Sequence, residues 1–177
     1  MGILNVTPDS FSDGGRHDDA PRAIDHGLRL VAAGADIVDV GGESSRPGAD
    51  PVDVATELAR VLPVVRALAP QVRVSIDTAK PEVARAAVAE GATIVNDITA
   101  TLHQVAAETG AGWIAMHMRG APRTMQQDPR YDDVVIEVEA HLLAAAARAE
   151  AAGVRELWID PGIGFGKTPA HNWDLLA

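Results

Sequence analysis

The sequence predicts a parallel α/β fold, a (β/α)₈ barrel of which about six of the eight units are present. Three observations predict it. Short β-branched runs alternate with longer Ala/Leu-rich stretches, the runs recur at near-constant spacing, and polar residues gather just after them.

The strand candidates are Ile3-Leu4, Ile37 to Val40, Val72 to Ile76, Thr93 to Val95, Trp113 to Met116 and Leu157 to Ile159. They read as apolar on both faces, as strands of a covered parallel sheet. The helix candidates are Ala20 to Ala33, Pro51 to Leu68, Pro81 to Glu90 and Asp132 to Ala152, with a shorter one over Thr99 to Thr109. Pro21, Pro51 and Pro81 suit first turns, and Gly34, Gly91 and Gly153 suit helix ends. From Ile3 to Ile159 there are 156 residues over five strand-to-strand steps, about 31 each. A (β/α)₈ barrel of roughly 250 residues has about 31 per unit as well. Asn172 to Ala177 reads as the opening of a sixth helix. Residues 1–177 are therefore expected to be one partial barrel domain lacking its C-terminal units. An open doubly wound sheet has the same periodicity and is the alternative fold.

Composition narrows the function. With no Cys among 177 residues there is neither a disulfide framework nor a thiolate nucleophile or metal site. A net charge of −10 repels polyphosphate, which argues against nucleic acid as a partner. Asp9 and Asp13 follow too closely on the first apolar residues for a signal peptide. No apolar run approaches the roughly 18 residues of a membrane span, so a cytoplasmic protein with no membrane partner is expected.

In parallel α/β folds, ligands bind at the carboxyl ends of the strands. Here those ends carry Asn5, the run Gly41 to Gly48, Asp77, Asn96-Asp97, His117 to Arg119 and Asp160-Pro161-Gly162. A carboxylate or amide at the tip of an apolar strand needs a partner, so Asp77 and Asn96 weigh most. By itself Asp160-Pro161-Gly162 is a turn signal, and His117 reads as a structural histidine. Lys167 follows Gly164-Phe165-Gly166 without the spacing of a phosphate-binding loop. Together Asp77, Asn96 and Asp160 suit a flat heterocycle with donors and acceptors along one edge. No Ser/His/Asp triad or zinc set is visible, which leaves positioning and electrostatics as the mode of catalysis.

The motifs resemble those of one family. Met1 to Gly15 looks like the first signature of dihydropteroate synthases, and Asp39 to Gly48 looks like the second. Ser75 to Thr78, Asn96 to Ile98, Met116 to Gly120 and Asp160 to Lys167 follow in the family's order. The resemblance implies a (β/α)₈ barrel that joins 6-hydroxymethyl-7,8-dihydropterin diphosphate to p-aminobenzoate in folate biosynthesis. It implies that Asp77, Asn96 and Asp160 hold the pterin, with Ile98, Met116 and Phe165 among its apolar walls. It implies that Asn5 ligates a Mg²⁺ on the leaving diphosphate. Phe11, Ser45, Arg46 and Pro47 would close over p-aminobenzoate, the site where sulfonamides act. A homodimeric parent is also implied. No residue here is assigned as the catalytic one. The family's Lys after the seventh strand and its Arg-x-His pair after the eighth fall beyond this sequence, so the chain alone is expected to be inactive. The segment from Thr99 to Gly112 is shorter than in the family. Two other functions share the fold: a methyltetrahydrofolate-binding domain of corrinoid methyltransferases, against which the Asn5–Gly15 and Glu43–Gly48 loops argue, and a non-catalytic pterin-binding paralogue.

Overall fold

The structure is a computed structural model that describes residues 1–7, 19–44 and 50–177. Six strand–helix pairs follow one another: β1 (Gly2–Asn5), α1 (Asp19–Ala32), β2 (Ile37–Gly41), α2 (Val54–Leu68), β3 (Arg73–Asp77), α3 (Pro81–Ala89), β4 (Ile94–Asp97), α4 (His103–Thr109), β5 (Gly112–Met116), α5 (Val134–Ala152), β6 (Leu157–Asp160) and α6 (Pro169–Asp174). All six expected strands are present.

The sheet runs β1-β2-β3-β4-β5-β6, and every neighbouring pair is parallel. A doubly wound sheet reverses its strand order at a switch point, whereas a barrel keeps chain order. Unbroken chain order therefore rules out the doubly wound alternative and gives six consecutive barrel units. Within the described residues β1 and β6 are the edge strands, where Ile3, Trp158 and Ile159 are exposed.

The two faces of the sheet differ in chemistry, which corrects the expectation of strands apolar on both sides. Leu4, Val38, Val40, Val74, Ile76, Val95, Trp113 and Ala115 form one core with Val61, Val65 and Leu68 of α2 and Val83 and Ala87 of α3. Full burial of each large aliphatic side chain contributes about 1.5–3 kcal/mol. The alternate residues, Asn5, Asp39, Asp77, Asn96, Met116 and Asp160, line a cavity instead. Side chains of successive strand residues point to opposite faces, so the intervening polar residues are not defects in buried strands. They make up a separate, polar inner surface.

Several helix boundaries move, each for a local reason. The second helix begins at Val54 rather than Pro51, because Asp53 is its N-cap and accepts from Thr56 N at 2.7 Å. The fifth begins at Val134, where Asp133 accepts from Val135 N and Ile136 N, both at 3.0 Å. The sixth begins at Pro169, ahead of the expected Asn172, because Thr168 and His171 form a capping box.

The fourth loop is short and fully determined. Asp97 is completely buried and accepts from Thr99 N at 2.9 Å, Thr99 Oγ1 at 2.6 Å, and Thr101 N and Leu102 N, both at 2.7 Å. Trp113 Nε1 adds a fifth bond at 3.3 Å. The orphan amides ahead of α4 are thus capped from β4, so the helix starts at His103 rather than Thr99.

Candidate functional site

The carboxyl ends of the strands surround a cavity of about 260 Å³. Asn5, Asp77, Asn96, Ile98, Met116, Asp160 and Phe165 all line it, so seven of the residues singled out in the sequence meet at one place. Ile3, Thr7, Asp39 and Ser44 complete the lining. Phe11, Ser45, Arg46 and Pro47 lie outside the described residues.

Register sets the geometry. Asn5, Gly41, Asp77 and Asn96 are successive partners across β1 to β4. Gly41 has no side chain, and a Cβ there would stand 3.3 Å from Asp77 Oδ2 and 3.6 Å from Asn5 Oδ1. An amide oxygen and a carboxylate oxygen thus flank a gap that the glycine leaves open. Hard oxygen donors of this kind fit Mg²⁺, which takes one or two protein ligands and completes its shell with water and phosphate. Among the described residues there is no cluster of three or more His, Asp or Glu to cage an ion unaided.

Asp77 opens on the cavity on one side and is enclosed by protein on the others. That enclosure, with the charges of Asp39, Glu57, Asp97 and Glu43 around it, pushes its carboxyl up to about 8. Asp39 is 6% exposed, and burial raises its carboxyl as well. Its Oδ2 accepts from Asn96 Nδ2 at 2.9 Å, across the intervening strand β3. Asp160 Oδ1 accepts from Gly162 N at 2.7 Å, which turns the chain sharply after β6.

Two glycines let that turn pack against the end of β5. Gly162 has φ 66°, and a Cβ there would come within 2.0 Å of His117 O. Gly166 has φ 65°, and its Cβ would stand 2.3 Å from Arg119 O. No other residue tolerates both the positive φ and the contact. Phe165, between them, is thereby carried to the cavity wall.

The chain belongs to the pterin-binding enzyme family. The family description "pterin binding enzyme" matches residues 1–177, the whole chain. Dihydropteroate synthase of Escherichia coli strain K12 is 52% identical over 185 residues, covering 100% of this chain and 66% of its own length. The structure is similar, with a TM-score of 0.91 and 46% identity, to Yersinia pestis dihydropteroate synthase in a sulfonamide drug complex, covering 99% of this chain and 67% of that one. It is also similar, with a TM-score of 0.86 and 47% identity, to Xanthomonas albilineans dihydropteroate synthase in complex with 7,8-dihydropteroate, covering 99% and 64%. The chain spans about two thirds of the length of the curated relatives it matches.

Beside the first cavity lies a second, of about 200 Å³, lined by Glu57, Thr78, Met118 and Pro122 among others. Glu57 is wholly buried; it accepts from Thr78 Oγ1 at 2.7 Å and Lys80 Nζ at 2.5 Å. Lys80 also pairs with Glu43 at the approach to residues 45–49. Through Thr78 and Lys80 this carboxylate ties α2 to the ends of β2 and β3. Neither Asp39 nor Glu57 was singled out from the sequence as a site residue. The alternation Val38-Asp39-Val40-Gly41, which places Asp39 on the face of Gly41, was the available signal for the first. Glu57 sits in an ordinary amphipathic helix and gave none.

Proposed function

We propose that this chain carries the pterin site of a dihydropteroate synthase, which condenses 6-hydroxymethyl-7,8-dihydropterin diphosphate with p-aminobenzoate to 7,8-dihydropteroate and diphosphate in folate biosynthesis. The observation that carries this is the meeting of Asp77, Asn96 and Asp160 with Ile98, Met116 and Phe165 in one cavity at the strand ends. Relatives of the same name, seen with 7,8-dihydropteroate and with a sulfonamide drug, support it.

In this proposal the three polar side chains receive the ring N–H groups while the apolar ones flank the ring. The C–O bond to the diphosphate breaks, the leaving group takes the electron pair, the arylamine nitrogen attacks the methylene carbon, and the proton it then loses passes to solvent. Acceptors fixed on the ring N–H groups favour the positive charge that develops on the pterin, a preorganised electrostatic contribution that needs no general acid or base. Asn5 would be a protein ligand for Mg²⁺, which when bound would neutralise charge on the departing diphosphate. Phe11, Ser45, Arg46 and Pro47 are assigned to p-aminobenzoate by resemblance. A homodimeric parent rests on the same resemblance.

Calorimetry with 6-hydroxymethylpterin tests the assignment. Asp77→Asn and Asp160→Asn each place a donor where a ring N–H must be received, an expected loss of about tenfold in affinity or more. Absence of pterin binding by the natural polypeptide, or unchanged affinity in both variants, would overturn it.

A further inference from the structure

The floor of the cavity holds a buried carboxylate tied to an amide that lines the same cavity. Asp39 is buried, and its Oδ2 accepts from Asn96 Nδ2 at 2.9 Å. Ser75, the register partner of Asp39 in β3, is buried beside it and, like Asn96, offsets part of the upward push of burial on the carboxyl. A buried carboxylate at a cavity wall needs such partners, and its bond to Asn96 reaches the ligand-facing side. Asp39 reaches past β3 to touch Asn96 on β4, and Asn96 is the one amide among the polar groups proposed to hold the ring.

An asparagine side chain has two ends, a donor and an acceptor, and rotation about its last bond exchanges them. A ligand that must be read in one orientation needs that rotation blocked. We propose that Asp39 is a positioning residue: by accepting a hydrogen bond from Asn96 Nδ2, it holds Asn96 Oδ1 toward the ligand. Asp77, Asn96 and Asp160 then all face the cavity as acceptors, and the site selects a heterocycle edge that offers several N–H donors together. A ring bearing a 2-amino group meets that demand. Its 2-oxo counterpart, of nearly the same shape, presents an acceptor to an acceptor. This deepens the pterin reading above and rests on it.

The test compares 6-hydroxymethylpterin with 6-hydroxymethyllumazine, its 2-oxo analogue, by calorimetry. The unmutated protein is expected to prefer the pterin by about 100-fold, since a site built to pair with an N–H leaves buried groups unpaired when it is missing. Asp39→Asn frees the Asn96 amide to rotate, so pterin affinity falls about tenfold and the preference narrows. The exchange Asp39→Asn with Asn96→Asp rebuilds the pair with donor and acceptor reversed in strand, and is expected to recover both affinity and preference. Equal loss of both ligands without recovery on exchange would mean that Asp39 merely supports the fold, and would overturn the proposal. Unchanged preference in Asp39→Asn would overturn it too. Should the variants not fold, the Asn96 side-chain amide protons of the unmutated protein decide. A downfield, slowly exchanging proton is expected, and rapid exchange typical of a solvated amide rejects the pair. Failure of the unmutated protein to bind the pterin would refute the functional reading, while this amide signal would still report on Asp39.

Discussion

Lys167 Nζ lies 3.0 Å from His117 Nδ1, and both side chains are buried. The ammonium also reaches Gly162 O at 2.9 Å, Phe165 O at 3.1 Å and His117 O at 3.3 Å. An ammonium can only donate, so His117 Nδ1 is the acceptor and its proton resides on Nε2. Lys167 therefore ties the loop after β6 to the end of β5. Burial holds the ammonium down to about 8, and burial together with the Lys167 charge holds His117 down to about 4.

Lys167→Met is expected to cost about 3 kcal/mol, because several buried carbonyls lose their donor at once. The same substitution should raise the His117 titration toward the ordinary 6.5, which an NMR titration reads without reference to stability. His117 is a base held low, so its contribution to stability is present above about pH 6.5 and lost as pH falls toward 4. A His117 titration that stays put in Lys167→Met would show that the two groups are not coupled.

Asp77 gives the opposite dependence. Its carboxyl is held at about 8 against an ordinary 3.8, so the folded protein retains this proton where the unfolded chain loses it. The contribution to stability is complete below about pH 4 and lost as pH rises to 8. The ionised form is the stronger acceptor for a ring N–H and the better partner for a developing positive charge, so pterin affinity should climb with pH up to about 8, with proton release on binding below that. Calorimetry in two buffers of different ionisation enthalpy measures the released proton. Affinity that is flat across this range would contradict an ionised Asp77 as the acceptor.

Gly41→Ala separates the site from the fold. Gly41 is not at a positive φ, so alanine is permitted there and removes a flexible residue from a strand. The added methyl would stand between Asp77 Oδ2 and Asn5 Oδ1. Stability is expected to change by about 1 kcal/mol at most, while Mg²⁺-dependent binding of the pterin diphosphate weakens by about tenfold or more. Titration with and without Mg²⁺, beside a thermal melt, checks both halves. Unchanged affinity would show that the gap above Gly41 is not used.

What could be read from the sequence was the strand order of the chemistry. Asn5, Asp77, Asn96 and Asp160 close four of the six apolar runs, and parallel strands in chain order bring such ends together whatever the helices do. The inner face was harder to read. Strands of four or five residues show alternation over two side chains only, so Asp39 and Ser75 passed as interruptions in apolar runs. Glu57 and Lys80 are 23 residues apart, and their ion pair depends on how α2 docks on the sheet. Pro51 misled as a helix start because a proline suits a first turn, yet the side chain of Asp53 supplies the actual cap.

Asp97 shows how a residue beside the site can shape it without facing it. Its neighbours Asn96 and Ile98 line the cavity, while its own carboxylate is turned to the opposite face and receives five donors. Thr99 N and Thr99 Oγ1 address one oxygen; Thr101 N, Leu102 N and Trp113 Nε1 address the other. In Asp97→Asn the amide nitrogen must replace one of these oxygens, and whichever it replaces, donors then face a donor. A buried N–H without a partner costs about 1–3 kcal/mol, so a loss of about 3 kcal/mol is expected for the set. Ala100, held at φ 54° in the short turn, lies between these anchors and loses its support with them. Urea unfolding should show a lower midpoint at an unchanged slope, the mark of a native state weakened rather than reshaped. Pterin affinity should fall as well, since Ile98 moves with the loop. A midpoint equal to that of the unmutated protein would mean that the turn after β4 is held by something other than this carboxylate.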